Sequence, residues 1–286
     1  MIKEIIVCVV LTSAIASFSA EIRTGCFSQI GKKNQRNEDR FIIATARNFS
    51  AVFDGHGGDL VSSFLQENIV AEFNTTFNEG QPTDIKTKFN NLFSSLDNKV
   101  RHLAAGSTAS VAYIEVNNRE SKAVLHTAHV GDSRIVLFDE NGKVVFATRD
   151  HKPNREDECT RIEENDGIIV SFERSIGKKT ITESCVYLHG AKLNMSRSIG
   201  DHCWNWNKKI ISSQPEYNQV KLEGLYYLVI GSDGLFDVFD NEKIGETIIN
   251  TREKKLSQII KILIQQAVTK GSRDDITLII EKIQTK

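Results

Sequence analysis

Three short segments of this 286-residue chain place aspartates beside glycine or serine, next to an apolar, strand-like run. The segments are 52–58 (VFDGHGG), 231–234 (GSDG) and 271–275 (GSRDD). Such a layout delivers a hard oxygen ligand at a strand end, where glycine lets the backbone approach an ion closely. Each segment alone is first of all a turn signal. All three together place carboxylates where a pair of metal ions could use them.

A pair of metal ions suits the hydrolysis of phosphate monoesters. The uncatalysed reaction is very slow, because a poor nucleophile must approach an anion and expel a poor leaving group. Two cations about 3.5–4 Å apart acidify a bridging water and neutralise the phosphoryl oxygens. Hard carboxylate and carbonyl oxygens favour Mg²⁺ or Mn²⁺. The residue types therefore indicate metal-assisted phosphoester hydrolysis.

Further motifs lie between these segments. They are 37–40 (NEDR), 106–109 (GSTA), 130–134 (VGDSR), 150–153 (DHKP), 195–201 (MSRSIGD) and 232–237 (SDGLFD). In this order the motifs resemble those of the metal-dependent protein serine/threonine phosphatases, the PPM or type 2C family. The resemblance covers nearly the whole chain after the N-terminus. It implies an α+β fold, a four-layer α-β-β-α sandwich of two antiparallel sheets flanked by helix pairs, with the metals in a cleft at one end.

The resemblance also implies which residues bind the metals, two Mg²⁺ or Mn²⁺ ions per chain with room for a third. Asp54 would bridge both ions, while the carbonyl of Gly55 contacts one of them. Asp233 and Asp274 correspond to the other ligands of the first metal. Asp132 corresponds to a ligand of a loosely held third metal, and its alternative role is that of a β-turn aspartate capping its own loop.

Three more residues have implied roles in the reaction. Glu38 and Asp39 match an acidic pair that orients metal-bound water, with a solvated charged turn as the alternative. His56 lies two residues after the bridging aspartate and corresponds to the general acid that protonates the departing serine or threonine oxygen. The implied reaction is attack by a metal-bridged hydroxide, without a covalent phosphoenzyme.

One departure from the family pattern concerns the phosphate grip. The family places an arginine four residues before the glutamate of the acidic pair, and this chain has Asn34 there. The segment 31–38 is also one residue longer than usual. Lys33 or Arg36 could supply the missing cation, although a lysine holds phosphate as a point charge rather than through two parallel hydrogen bonds.

Two other departures leave alternatives open. Asp275 stands where the family more often has asparagine, and its carboxylate either strengthens metal binding or points to solvent. Between residues 170 and 193 the chain is longer than a minimal family member. This insert carries four basic residues, namely Arg174, Lys178, Lys179 and Lys192. It is either a basic flap that attracts acidic phosphopeptides or a charged surface loop.

Composition and the N-terminus bound the rest. A net charge of −1 gives no electrostatic case for nucleic-acid binding, and the absence of repeats and linkers favours one domain, expected to be a monomer.

Residues 5–16 are almost continuously apolar but too short for a membrane span. We therefore predict a signal peptide at 1–20, a phosphatase domain at 21–286 and a location outside the cell or in the secretory lumen. The alternative is an edge strand of the domain.

Periodicity predicts the elements that must position these residues. Helical spacing of apolar residues marks 59–73, 85–103, 156–165 and 256–268, and strand-like runs cover 110–116, 123–130, 134–138, 144–148, 226–230 and 277–283. Outside the leader there are four cysteines, Cys26, Cys159, Cys185 and Cys203, which either form disulfides or remain buried thiols.

The leading functional hypothesis is a secreted Mg²⁺/Mn²⁺-dependent protein serine/threonine phosphatase acting on phosphoproteins. A rival is a catalytically weak or dead pseudophosphatase that acts as a binding protein, which the missing arginine favours and the retained aspartates oppose. A second rival is a metal-dependent hydrolase of small phosphoesters.

Overall fold

The computed structural model describes residues 5–6, 12–13, 20–33, 35–78, 84–117, 122–176, 179–188, 190–204 and 210–285. At the N-terminus, β1 (Ile5–Ile6) and β2 (Thr12–Ser13) both pair antiparallel with β3 (Ala20–Gln29). That pairing agrees with the edge-strand alternative. Most of the predicted leader, and Asn34, lie outside the described residues, so the signal peptide stays a prediction.

The other elements of the described chain follow in order. The strands are β4 (Arg40–Ala44), β5 (Phe49–Phe53), β6 (Gly55–His56), β7 (Gly106–Ser107), β8 (Ala109–Asn117), β9 (Lys122–Val130), β10 (Arg134–Asp139), β11 (Val144–Ala147), β12 (Ile168–Ile176), β13 (Lys179–Leu188), β14 (Ala191–Leu193), β15 (Ile199–Gly200), β16 (Glu216–Leu222), β17 (Leu225–Gly231) and β18 (Ile276–Thr285). The helices are α1 (Leu60–Asn78), α2 (Ile85–Lys99), α3 (Glu156–Glu164), α4 (Asp233–Phe236), α5 (Asn241–Asn250) and α6 (Leu256–Thr269), with 3₁₀ turns at Thr45–Arg47 and His202–Trp204.

Two antiparallel sheets form the centre of the fold. One has seven strands in the order β1-β3-β18-β17-β10-β11, with β2 also on β3, and the other has five in the order β16-β9-β8-β5-β4. The strands β12-β13-β14 make a smaller sheet at the side, and the short strands β15-β7-β6 make another. Consecutive strands such as β8 and β9 pair as hairpins, which fixes their register through the turn.

Apolar residues pack in three places: between the two sheets, and between each sheet and the helices that cover it. Between the sheets lie Cys26, Val52, Ala112, Ile114, Leu125, Ile135, Leu137, Leu228, Ile230, Ile279 and Ile283. The helices α1 and α2 pack on the outer face of the five-stranded sheet, and α5 and α6 pack on the outer face of the seven-stranded sheet. In α6 the buried residues recur on one side, at Ile259, Ile260, Leu263, Ile264 and Ala267. The predicted four-layer α-β-β-α sandwich is therefore confirmed.

The predicted helices and strands correspond to described elements. The four helices are confirmed as α1, α2, α3 and α6, and the six strands as β8, β9, β10, β11, β17 and β18. The second helix ends at Lys99, and the last apolar residue of its pattern, Leu103, packs on the core from the turn that follows. The pattern did not predict α5, β3, β4 or β16. Most of the insert at 170–193 forms a β-hairpin, β12 to β13.

The four cysteines after the predicted leader differ in exposure. Cys26 and Cys185 are buried, Cys159 is half-buried and Cys203 is exposed, and none of these four forms a disulfide in the described chain. In that same part of the chain, no helix is long and apolar enough to cross a membrane.

One acidic side chain lies inside the sandwich. Glu281, on β18, is buried, and burial raises the pKa of its carboxyl from 4.5 to about 7, with the nearby Ser50 hydroxyl offsetting only part of the effect. The folded protein therefore binds this proton more tightly than the unfolded chain does. Its stability must fall as the pH rises from about 4.5 to about 7.

We expect Glu281→Gln to remove this part of the pH dependence. At pH 8 the variant should be more stable than the wild type by up to about 3 kcal/mol, since each pKa unit corresponds to about 1.4 kcal/mol. At pH 4 the difference should vanish or change sign. Urea unfolding at both pH values measures it, with the exposed Glu223→Gln as control. An equal difference in unfolding free energy between variant and wild type at pH 4 and pH 8 would show that folding does not raise the pKa of Glu281.

Candidate metal centre and active site

Turns at one end of both sheets bring the predicted metal ligands together. Asp54 follows β5 of the five-stranded sheet, whereas Asp233 begins α4 directly after β17 of the seven-stranded sheet. Asp274 lies just before β18. Asp132 occupies the turn that connects β9 to β10 and so passes from one sheet to the other. The cluster is thus built across the end of the sandwich.

Electrostatics show how close these carboxylates are. Burial raises the pKa of Asp54 well above its usual value, and repulsion from Asp39, Asp233, Asp132 and Asp274 adds to the rise. Burial likewise raises the pKa of Asp233, helped by Asp132 and Asp274, while a cation opposes it. So many like charges in one half-buried cluster are costly unless cations or protons neutralise them.

The cation within the cluster is Lys152, which forms an ion pair with the buried Asp132. Burial lowers the pKa of Lys152, but Asp132 and Asp233 outweigh it and raise the pKa above its ordinary value. The lysine therefore remains charged. It lies on the Asp132 side of the cluster, where the resemblance implies the loosely held third metal, so a cation there must share Asp132 with Lys152.

The acidic pair lies on the same cluster. The Asp39 carboxylate accepts a 2.7 Å hydrogen bond from the Ser232 hydroxyl, which ties it to the loop of Asp233. Burial raises the pKa of Asp39 to about 7, and Asp275 contributes. Burial also raises the pKa of the half-buried Glu38. Asp39 thus belongs to the interior of the cluster and Glu38 to its edge.

The donor set fits divalent cations. Within the described residues, Oδ1 of Asp39 and Oδ1 of Asp132 are buried without a hydrogen-bond partner. All the clustered acceptors are carboxylate oxygens, the ligands that Mg²⁺ and Mn²⁺ prefer. Position 55 must be glycine for a packing reason: a Cβ there would lie 2.7 Å from both the Glu38 carbonyl and the Ser62 hydroxyl. Glycine therefore lets the chain after Asp54 lie against the loop of the acidic pair.

His56 has a partner that sequence reasoning missed. Its Nε2 donates to Oδ2 of Asp201 over 2.6 Å, and Ser198 donates to the same oxygen over 2.6 Å. Asp201 is buried and adopts a left-handed backbone conformation with φ +53°. Its backbone N–H donates a 3.1 Å hydrogen bond to the carbonyl of Ala105, which holds this conformation. A Cβ at Gly106 would lie 2.2 Å from Asp201 Oδ2 and 2.4 Å from His56 Nε2, so this contact requires glycine.

The Asp201 contact favours the protonated imidazole. Burial lowers the pKa of His56, but the charge and hydrogen bond of Asp201 outweigh it and raise the pKa above 6.5. The other ring nitrogen, Nδ1, is buried and has no hydrogen-bond partner among the described residues. When the ring is protonated, Asp201 accepts from Nε2–H, and Nδ1–H has no acceptor among the described residues.

A second missed residue is Asp237. It lies four positions after Asp233, and its N–H donates to the Asp233 carbonyl over 2.8 Å. Asp237 raises the pKa of Asp233 and that of Lys152. The spacing of four in the motif SDGLFD was a usable signal, because residues four apart share one face of a helix. The signal for Asp201 was weaker, since Gly-Asp alone marks only a turn.

The loop predicted to grip phosphate lies at the edge of the cluster. The Lys33 ammonium is 3.0 Å from Oδ2 of Asp274, and its backbone N–H donates to the Arg273 carbonyl at 3.0 Å. Gly31 is packed so closely that a Cβ would meet the Asp274 backbone at 2.3 Å. Arg36 is exposed and makes no hydrogen bond or ion pair with another described residue. The structure thus brings Lys33, but not Arg36, to the carboxylates.

Of the two roles expected for Asp275, the solvent-facing one is wrong. Its side-chain oxygens accept from the N–H of Gly31 at 2.7 Å and the N–H of Glu38 at 2.8 Å. The residue is buried, so it does not point to solvent. Its carboxylate closes the longer loop 31–38 by holding both ends. This contact joins residues more than two hundred positions apart, which local sequence could not reveal.

We expect Asp275→Ala to loosen this loop. Two backbone N–H groups would lose their acceptor, at a cost of about 1–3 kcal/mol each where they stay buried. Hydrogen exchange of the Gly31 and Glu38 amides should accelerate, and the KM for a phosphopeptide should rise several-fold because Lys33 is no longer held in place. Asp275→Asn keeps one acceptor oxygen, so its amide exchange rates and its KM should lie between those of the wild type and those of Asp275→Ala. Unchanged exchange at both amides would contradict the role of Asp275.

The insert is described only in part. The side chains of Arg174, Lys178 and Lys179 lie outside the described residues, so the basic flap stays a prediction. Lys192, on β14, lies over the ring of Phe172, 5.5 Å from its centroid. The hairpin is attached through a small apolar cluster that includes Ile162 and Val186.

Comparison with known sequences agrees with the motifs. The family model described as Protein phosphatase 2C matches residues 20–276. The probable protein phosphatase 2C 69 of Arabidopsis thaliana is 31% identical over 240 residues, covering 82% of this chain and 61% of that protein. The chain spans about half to two thirds of the length of the curated relatives it matches.

Solved structures show the same fold. A phosphatase from a pathogenic strain of Toxoplasma gondii has a TM-score of 0.76 at 20% identity, covering 92% of this chain and 93% of that one. The catalytic domain of the serine/threonine protein phosphatase PstP, solved with 2 manganese ions, has a TM-score of 0.61 at 18% identity. That match covers 93% of this chain and 100% of the PstP chain. These similarities concern the arrangement of sheets and helices.

Proposed function

We propose, starting from the fact that this chain belongs to the protein phosphatase 2C family, that it is a Mg²⁺- or Mn²⁺-dependent phosphatase of phosphoserine and phosphothreonine in proteins. The family is one of metal-dependent serine/threonine phosphatases. The observation that carries the proposal is the cluster of carboxylates from both sheets, with His56 and Asp201 beside it. A pseudophosphatase would have no need to keep this set.

Asp54, the Gly55 carbonyl, Asp233 and Asp274 would hold two cations, as PstP holds two manganese ions. Asp132 and Asp237 would hold a third. When bound, such cations acidify the attacking water and neutralise the phosphoryl oxygens. Glu38, at the edge of the cluster, would orient that water. The raised pKa values of Asp54 and Asp233 support this assignment, because a cation replaces the protons that the cluster otherwise needs.

His56 would act as the general acid. Its Nε2–H is held by Asp201, so the proton on Nδ1 is the one that can pass to the departing serine or threonine oxygen. Asp201 does not touch the substrate in this proposal. It is a positioning residue that fixes the ring and stabilises its protonated form.

Lys33 would take the place of the missing arginine. Its ammonium lies beside Asp274 and would face the phosphoryl group once a cation occupies that carboxylate. As a single point charge, it would bind phosphate less rigidly than an arginine. This weaker grip should raise KM more than it lowers kcat.

The decisive measurement is phosphate release from a phosphothreonine peptide with Mn²⁺, with EDTA, and with Asp54→Asn. We expect release with Mn²⁺, none with EDTA, and at least about a hundredfold loss in the variant. Asp139→Asn, in a turn away from the cluster, is the matched control and should keep full activity. No release from a folded protein that binds Mn²⁺ would favour the pseudophosphatase, whereas preference for a small phosphoester would favour the other rival.

Secretion is a separate proposal. The apolar run at 5–16 and a family match that begins at residue 20 support a leader, so we infer an enzyme outside the cell or in the secretory lumen. Expression in eukaryotic cells, followed by N-terminal sequencing of the product, tests it. A start near Glu21 is the expected result, and an intact N-terminus on a cell-retained product would favour the edge strand.

A further inference from the structure

A second group of ligand-type side chains lies apart from the carboxylate cluster. It consists of His129 at the end of β9, His151 in the loop after β11, and Glu216 at the start of β16. Glu216 and His129 are direct partners across the strand pair β16–β9. The two imidazole rings are stacked with centroids 4.4 Å apart, and one ligand atom from each residue lies within 4.8 Å of the others.

Hydrogen bonds fix which nitrogen of each ring carries the proton. Nε2 of His129 lies 3.0 Å from the Arg149 carbonyl, and Nδ1 of His151 lies 3.2 Å from the Gly131 carbonyl. A carbonyl oxygen only accepts, so these two nitrogens must donate. The opposite nitrogens, Nδ1 of His129 and Nε2 of His151, then carry free lone pairs.

Neither of these two lone-pair nitrogens accepts a hydrogen bond from a described residue, although Nε2 of His151 lies 3.6 Å from Oε2 of Glu216. Both rings are fully buried, and neither nitrogen has a hydrogen-bond partner among the described residues. A buried acceptor without a partner is costly. Histidines that bind metals show this same arrangement, with one ring nitrogen donating to a carbonyl and the other facing the ion.

We propose that His129, His151 and Glu216 form a binding site for a transition-metal cation, of which Zn²⁺ is the best fit. Two imidazoles and one carboxylate are a ligand set that zinc accepts with a fourth position open to water. Mg²⁺ prefers oxygen ligands and belongs at the carboxylate cluster instead. Zinc–nitrogen bonds of about 2.0–2.1 Å require the ligand atoms to move closer together, by side-chain rotation of about an ångström.

The charges around the site allow this assignment. Burial lowers the pKa of His129 to about 3 and also lowers that of His151, so both rings are neutral, as a metal ligand requires. Glu216 is charged, since its contact with His151 and the nearby charge of Arg155 lower its pKa to about 2. Arg155 lies 3.0 Å from the same carboxylate. The oxygen it contacts, Oε2, is also the one that faces His151, so a cation must either bind through Oε1 or take Oε2 from Arg155.

The site is close to the catalytic centre but does not share its ligands. The Gly131 carbonyl that accepts from His151 directly precedes Asp132 in the chain. Lys152, the ion-pair partner of Asp132, directly follows His151. The two histidines therefore adjoin the loop that carries Asp132. The two sites differ in ligand chemistry, with nitrogen ligands in one and carboxylate oxygens in the other.

Crystals of the full chain, grown with excess Mg²⁺ and soaked in Zn²⁺, test the proposal without any variant. Anomalous maps at the zinc edge should show a peak among His129 Nδ1, His151 Nε2 and the Glu216 carboxylate. Zinc peaks confined to Asp54, Asp233 and Asp274 would overturn the proposal.

Co²⁺ binding in solution gives an independent readout. With Mg²⁺ in excess, Co²⁺ bound to two imidazoles in a low-coordinate site should give strong visible absorption, which octahedral oxygen ligands do not. His129→Asn should abolish that band and weaken Co²⁺ binding by about 10- to 100-fold. His102→Asn, on the exposed surface, is the control and should leave it unchanged. A band that survives His129→Asn in a folded variant would refute the site.

Discussion

Replacing Asp201 with asparagine is expected to lower kcat on a phosphothreonine peptide by about a hundredfold, which is the lower end of the range for losing a general acid. Asp201 raises the pKa of His56 through its charge and the 2.6 Å hydrogen bond. Without that charge, the imidazole loses its proton at lower pH. Since the general acid must be protonated to act, the basic limb of the pH–kcat profile should move to lower pH.

Two controls separate this role from a merely structural one. Ser198→Ala removes a hydrogen bond to the same Asp201 oxygen but keeps the charge, so it should change kcat far less and leave the pH profile in place. His56→Gln removes the acid itself, and adding Asp201→Asn to it should cause no further loss. If the loss of kcat in the double variant equalled the product of the two single losses, Asp201 would act independently of His56. The same would follow if Asp201→Asn lowered kcat equally at every pH.

Asp54→Asn, which should abolish activity, is expected to stabilise the metal-free protein. Burial and repulsion from the surrounding carboxylates raise the pKa of Asp54, and the substitution removes this buried charge. The melting temperature without metal should rise by roughly 2–4 °C, the shift that about 1 kcal/mol causes in a chain of this size. The gain should grow with pH, because carboxyls with raised pKa values must ionise inside the folded wild type.

Manganese should reverse the order of stability. At a hundredfold excess over its dissociation constant, bound metal adds about 2.7 kcal/mol to the wild type. The variant lacks a principal ligand and should gain much less. Thermal scans in EDTA and in Mn²⁺ measure both effects, with Asp139→Asn expected to follow the wild type. A metal-free Asp54→Asn protein less stable than the wild type would mean that the carboxylate has a structural partner.

The sequence predicted the parts of the site that rest on local pattern. Asp54, Asp233 and Asp274 follow or precede strand-like runs, so their position at strand ends could be inferred, and the order of the motifs identified the family. The amphipathic helices and the hairpins were also predictable, because each is determined by residues close together in the chain. These features depend on spacing alone.

The parts that sequence could not predict depend on contacts between distant residues. Asp201 meets His56 across 145 positions, and Asp275 holds the loop at Gly31 across 244. Both aspartates lie in motifs of the sequence, but neither motif indicates which distant residue the carboxylate contacts. The strand β4 was missed for a related reason, because its half-buried residues do not alternate and its identity comes from pairing with β5.

The pairing of β3 with β18 has a consequence for how this protein is made. The two strands are neighbours in the larger sheet, yet Ser28 and Thr277, whose hydroxyls are 2.7 Å apart, are separated by 249 positions. On the ribosome β3 emerges early and must wait for its partner until β18 has been synthesised, and long-range pairing of this kind is slow. Its apolar residues stay exposed to aggregation throughout that time. The rate of translation and the supply of chaperones should therefore govern the yield of folded protein in a cell.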